Sequence, residues 1–166
     1  MHVFQLLFFV EVLKMIIDKK EIFVIIPARS GSKGIPNKNI REIAGKSLLF
    51  RTLETATGLT DIKNICLSTD SEKYYQNIKD EFNPIFLQRS PELSTDTALA
   101  INVWKDAIKF LKNNYENYEY SIWLEPSSPM RNLNWLKEIT RNFIKSRDDL
   151  WTVSYTHLRA HETNSH

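Results

Sequence analysis

The sequence predicts an α/β fold with a mostly parallel sheet flanked by helices. Three observations carry that prediction. Short apolar, β-branched runs recur at strand length, beginning with Ile22 to Ile26, which is long enough for a buried strand and too short for a helix. Stretches of about ten residues with helical period separate these runs, the pattern of βαβ units. The first strand runs into a polar loop, Ala28 to Asn39, that holds two glycines. Parallel sheets bind ligands in the crevice outside the carboxyl ends of their strands.

The elements follow in order. Ile22 to Ile26 is the first strand, and Leu48 to Ala56 reads as a helix. Asn64 to Leu67 is a second strand and Glu72 to Asp80 a second helix. Ile85 to Leu87 is a short third strand. Thr97 to Asn113 has the plainest helical signal. Ala98, Ile101, Trp104, Ile108 and Leu111 recur there at three- and four-residue spacing, and Thr95 or Asp96 is placed to cap it. Ser121 to Leu124 is a fourth strand, and Leu133 to Ile144 a last amphipathic helix. The loops after Ile26, Leu67 and Leu124 are therefore the expected ligand crevice.

Composition narrows the function classes. A chain of 166 residues with 42% apolar and 25% charged residues suits one ordinary globular domain. A net charge of +2 offers no basis for nucleic-acid or anionic-membrane binding. The lone Cys66 cannot form an internal disulfide, which fits a cytoplasmic location. Its strand setting favours a buried structural thiol over a nucleophile. Val3 to Val10 is apolar, but Glu11 and Lys14 end it well short of the roughly 20 residues of a membrane span. It also lacks the marks of a secretory signal. Residues 1–14 read as an extension or a misplaced start ahead of Met15. Beyond Val153 the strand pattern stops, and residues 153–166 read as a non-native or disordered tail. His157 and His161 are spaced to share a helix face as metal ligands, but they receive no role.

The most informative segment is Ile26-Pro-Ala-Arg-Ser-Gly-Ser-Lys-Gly-Ile-Pro-Asn-Lys-Asn39. No acidic residue lies between Glu21 and Glu42, whereas Arg29, Lys33, Lys38 and Arg41 all do. Gly31 and Gly34 allow a sharp turn and a close approach to a ligand. Backbone N–H groups in such a turn make a concavity for anions. The alternative is a solvated basic loop; position at a strand end, together with the glycines, favours a polyphosphate site. Gly45-Lys46-Ser47 mimics the end of a P-loop, but Ile40 stands where its first glycine belongs. The dinucleotide fingerprint fails likewise at Lys33.

Three later segments join that loop: Leu67-Ser-Thr-Asp70, Arg89-Ser-Pro-Glu-Leu-Ser-Thr-Asp-Thr97 and Leu124-Glu-Pro-Ser-Ser-Pro-Met-Arg131. Together, in this order, they resemble the N-terminal portion of the acylneuraminate cytidylyltransferase (CMP-N-acetylneuraminic acid synthetase) family. The resemblance implies a Rossmann-like nucleotidyltransferase fold, CTP and a nonulosonic acid as substrates and, for the complete enzyme rather than this portion, Mg2+ as cofactor and a homodimer. Residues 15–152 would then be the nucleotide-binding part of a cytidylyltransferase domain. Carried over, Arg29 and Lys33 are the catalytic cations that contact the triphosphate. Ala28, Ser30, Gly31, Gly34, Lys38 and Asn39 belong to the nucleotide loop. Arg89 lies near base and ribose, and Glu125 and Arg131 face the sugar. The anomeric hydroxyl would attack the α-phosphate and release pyrophosphate. Such a reaction needs positioning and charge neutralisation more than a protein nucleophile.

Several positions bear on that resemblance. Glu125 replaces the family's usual Gln, and an ionised carboxylate only accepts hydrogen bonds. Ala100 stands where some relatives have Ser. Both leave open another nucleotide or sugar, and a non-catalytic nucleotide-binding module is a further alternative. Asp70 and Asp96 either cap the helices that follow them or contact ligand. Trp104, Trp123 and Trp135 suit core or half-buried positions. The family continues past the point where the match ends, near Val153. The later part of the fold and its acidic metal ligands are expected to be missing, so no metal ligand is assigned and little turnover is expected.

Overall fold

A computed structural model describes residues 21–31, 34–115 and 118–146. The expectations for residues 1–14, 153–166, His157, His161 and Lys33 lie outside them. In chain order the elements are β1 (Glu21–Pro27), β2 (Glu42–Ile43), β3 (Lys46–Ser47), α1 (Leu48–Thr57), β4 (Ile65–Thr69) and α2 (Glu72–Gln76). Then come β5 (Ile85–Gln88), α3 (Ala100–Asn114), β6 (Tyr118–Trp123) and α4 (Leu133–Ser146). Short 3-10 turns occupy Lys38–Ile40, Ile62–Asn64 and Pro91–Ser94.

The main sheet has the order β5-β4-β1-β6, and every pair in it is parallel. Val24 to Pro27 pair in register with Ile65 to Ser68 of β4, and Phe23 to Ile25 pair with Ser121 to Trp123 of β6. The predicted α/β class with a parallel sheet is what the chain adopts.

The unbroken apolar run of β1 has a direct cause, because both faces of the strand are covered. Val24 and Ile26 join Leu49, Leu53, Ile65, Leu67, Tyr74 and Leu124 in one core, against which Leu133 and Leu136 of α4 pack. Phe23 and Ile25 point the other way. They meet Cys66, Leu87, Ala107 and Leu111, with Trp104 and Trp123 alongside. Successive side chains thus serve opposite layers, and burying each of the larger ones stabilises by roughly 1.5–3 kcal/mol. Cys66 is fully buried. Burial pushes its thiol up to about 12, so it is a packing residue.

Sequence and structure differ at three elements. Residues 42–47 form a hairpin, β2–β3, with Ala44 and Gly45 at φ 51° and 75°, the left-handed pair of a two-residue loop. The P-loop look-alike Gly45-Lys46-Ser47 is the end of this hairpin. Ser47 caps α1 by accepting the Phe50 N–H at 3.1 Å, and Lys46 pairs with Glu54 at 2.5 Å. The second helix is shorter than expected, ending at Gln76. The long helix starts at Ala100 rather than Thr97, with Leu99 at its N-cap and no side-chain cap. Its buried face is Val103, Ala107 and Leu111, while Ile101 is exposed.

Candidate functional site

From β1 the chain steps outward to β4 and β5, then returns across β1 to lay down β6 on the other side. The carboxyl ends of β1 and β6 therefore flank a topological switch point, where open α/β sheets form ligand crevices. A cavity of about 250 Å³ opens there. Pro27, Arg29, Lys38 and Asn39 line it from β1 and its loop. Trp123, Glu125, Pro126 and Ser127 line it from β6, and Arg89 with the segment up to Ala100 closes the third side. Its walls thus carry three cations, Arg29, Lys38 and Arg89, against two carboxylates, Asp96 and Glu125.

The β1 loop is tied down residue by residue. The Ala28 N–H donates to the Ser68 carbonyl at 2.9 Å, extending the ladder past the strand. The Arg29 carbonyl accepts from Asn39 Nδ2 at 3.0 Å, which holds the two ends of the loop together. Ser30 donates twice to Asp70, from its N–H at 2.7 Å and from Oγ at 2.9 Å. The amides of Ala28 and Ser30, two residues of the loop read as nucleotide-binding, are therefore bonded within the protein. Gly31 and Gly34 are exposed, and a Cβ on either would meet nothing within 4 Å.

Both arginines are engaged. Arg29 Nη2 lies 2.5 Å from Asp96 Oδ1, and its Nη1 reaches the Ser94 carbonyl at 3.5 Å. Arg89 is buried, donating from Nη2 to the Ser68 carbonyl at 2.7 Å and from Nε to Ser68 Oγ at 3.2 Å. Burial lowers its pKa from the ordinary value; Asp70 opposes that shift and Arg29 adds to it. Arginine remains charged under such shifts, so a fixed, poorly hydrated cation sits at the crevice wall.

On the β6 side, Glu125 Oε1 accepts from Trp123 Nε1 at 3.2 Å, and Oε2 accepts from Ser127 Oγ at 3.4 Å. Arg131 is absent from the cavity lining; its guanidinium donates to the Glu125 carbonyl and so braces that loop. Neither Asp70 nor Asp96 caps a helix. Ser71 is the N-cap of α2, and Asp96 turns to Arg29 instead. No periodicity pointed to the Ser30–Asp70 or Arg29–Asp96 contacts, which span 40 and 67 residues. The position of Asp70 at a strand end was the only signal.

A cation does not fit these residues by themselves. Among the described residues no group of three or more His, Cys, Asp and Glu comes together. Asp70, Asp96 and Glu125 are each held by protein donors. Among the described residues, too, no helix is long and apolar enough to cross a membrane.

Comparison with known proteins gives a consistent result. The family model described as cytidylyltransferase matches residues 23–146. An N-acylneuraminate cytidylyltransferase of Streptococcus agalactiae is 40% identical over 139 residues, 82% of this chain and 32% of the relative. A pseudaminic acid cytidylyltransferase of Campylobacter jejuni is 32% identical over 74% of this chain and 53% of the relative. The chain thus spans about a third to a half of the length of these relatives. Among solved structures, a CMP:2-keto-3-deoxy-manno-octonic acid synthetase complexed with CTP superposes with a TM-score of 0.60. It is 19% identical, and the match covers 77% of this chain and 49% of that one. At that identity the likeness speaks for the fold, a Rossmann-like nucleotidyltransferase fold.

Proposed function

This chain belongs to the cytidylyltransferase family, and from that premise we propose that its crevice binds CTP. We propose further that a full-length protein carrying this sequence transfers CMP from CTP to a nonulosonic acid, with release of pyrophosphate, and that this chain by itself has little turnover. The observation that carries this reading is the convergence of Arg29, Lys38, Asn39 and Arg89 at the β1–β6 switch point. The names of the relatives, acting on N-acylneuraminate and pseudaminic acid, support an acidic sugar as acceptor.

In this reading the triphosphate lies over the β1 loop. Arg29 and Lys33 neutralise charge that builds on the phosphates as the sugar's anomeric oxygen attacks the α-phosphorus and pyrophosphate leaves. Lys38 adds a third cation at the loop's far end. Arg89, fixed by Ser68, faces base and ribose. Preorganised charge of this kind lowers the barrier because it needs no reorientation during the reaction. Glu125, held by Trp123 and Ser127, accepts hydrogen bonds from sugar hydroxyl or N–H groups. No step is assigned to Mg2+.

A second reading keeps the fold and changes the substrates. Glu125 and Ala100 favour it, since both line the cavity and both depart from the family pattern. Calorimetric titration of the purified chain with CTP, UTP, GTP and ATP separates the two. CTP is expected to bind at least about tenfold tighter than the others, a margin of about 1.4 kcal/mol; equal affinities would remove the cytosine assignment. In a full-length protein carrying this sequence, Lys33→Ala is expected to slow CMP transfer by roughly 10²- to 10³-fold. A loss under about threefold would leave the loop as solvated surface.

A further inference from the structure

We infer that Asp70 is the positioning residue of the basic loop, anchoring its root from the neighbouring strand so that Arg29 and the residues beyond present their charge to the crevice. This rests on reading the crevice as a nucleotide site. An acid bonded to the root of a basic loop works against anion binding by simple electrostatics, so its presence there calls for a compensating role.

The geometry supplies one. Asp70 follows β4 directly, and both of its carboxylate oxygens accept from the same residue, Ser30. Its own backbone is fixed: the Gln88 side chain donates to its carbonyl at 3.4 Å. The next amide, Ser71 N, donates to Thr69 Oγ1 at 3.1 Å. Three consecutive loop residues, 28, 29 and 30, are thereby held by Ser68, Asn39 and Asp70 in turn. The Arg29 guanidinium grows from the middle of that anchored stretch. Immediately beyond, Gly31 is exposed with open space around it. Asp70 thus holds the loop at Ser30, next to the exposed Gly31. Asparagine keeps the shape but not the charge: its amide oxygen can accept the Ser30 N–H and its NH2 can donate to Ser30 Oγ, so what it loses is the charge assistance of both bonds.

The test uses the whole chain with Asp70→Asn, read two ways. Hydrogen exchange at the Ser30 amide is expected to quicken by about three- to tenfold, as weakening of a part-buried charge-assisted bond of this kind implies. Affinities for CTP and for inorganic tripolyphosphate, both measured without divalent cation, are expected to fall together by about 5- to 30-fold. The direction is decisive, because removing a negative charge without any loss of position would tighten anion binding. Tightened or unchanged affinity, unchanged Ser30 exchange, or a loss seen only with Mg2+ present would each overturn the assignment. Ser30→Ala serves if Asp70→Asn does not fold. It keeps the backbone bond, so a loss of about two- to fivefold is expected, and no loss overturns the inference. In combination the two changes are expected to weaken binding no more than Asp70→Asn alone. A wild-type chain that binds tripolyphosphate but not CTP would fail the nucleotide reading and leave the anchor standing. The Ser30 exchange rate judges the anchor even if neither ligand binds.

Discussion

Arg29 illustrates how a cation is kept ready without being left bare. Its partner Asp96 is about as accessible as Arg29 itself, with a third of each side chain open to water. A pair so placed contributes at most about 1 kcal/mol, which a polyphosphate can replace with stronger contacts. Asp96→Asn is therefore expected to tighten tripolyphosphate binding by about two- to fivefold. Weaker binding in that variant would show that Asp96 steadies Arg29 rather than competing for it. At this scale sequence reasoning found the cavity-lining residues Arg29, Lys38, Asn39, Arg89 and Glu125. It did not find what each of them bonds to. Cations and glycines clustered in one loop are visible in a string of letters. A carboxylate 40 or 67 residues away becomes a neighbour only through strand order.

Among the elements, the strands were the most legible, because burial on two faces demands an apolar run and little else satisfies it. Helix starts were less so. Thr95 and Asp96 have the right chemistry for caps, yet the chain turns at 95–98, with the Ala98 N–H donating to the Thr95 carbonyl at 3.4 Å, and the helix opens only after the extended Leu99. The small hairpin at 42–47 went unread since it is two residues deep on each side. Helix α2 carries a packing compromise. Tyr74 is completely buried in the core under β1 and β4, and among the described residues its hydroxyl has no hydrogen-bond partner. Burial, with Asp70 nearby, raises the pKa of that phenol, keeping it neutral. A buried hydroxyl left unsatisfied costs about 1–3 kcal/mol. Tyr74→Phe is expected to raise stability by about 1 kcal/mol in urea titration. A destabilised variant would reveal a partner for the hydroxyl.

For the molecule as a whole, the expected crevice at the strand ends has a cavity at two of the three loops, while the third braces it. Those after β1 and β6 line the cavity, and the one after β4 supplies Asp70. The order of strands was not legible, because helical crossovers permit several orders and only packing chooses among them. That order governs how the protein is made. β1 lies between β4 and β6, yet its second neighbour begins only at Tyr118. A ribosome adding roughly 5–20 residues per second exposes one hydrogen-bonding edge of the most apolar strand until most of the chain has emerged. Chains arrested just before Tyr118 are expected to be captured by holdase chaperones and cut by protease. Chains arrested after α4 is free of the ribosome are expected to resist both. Equal resistance at the two lengths would mean that β1, β4 and β5 already form a closed unit. The crevice at the switch point is thus also the last seam to close, so each newly made chain passes through an aggregation-prone interval before it has any binding site to offer.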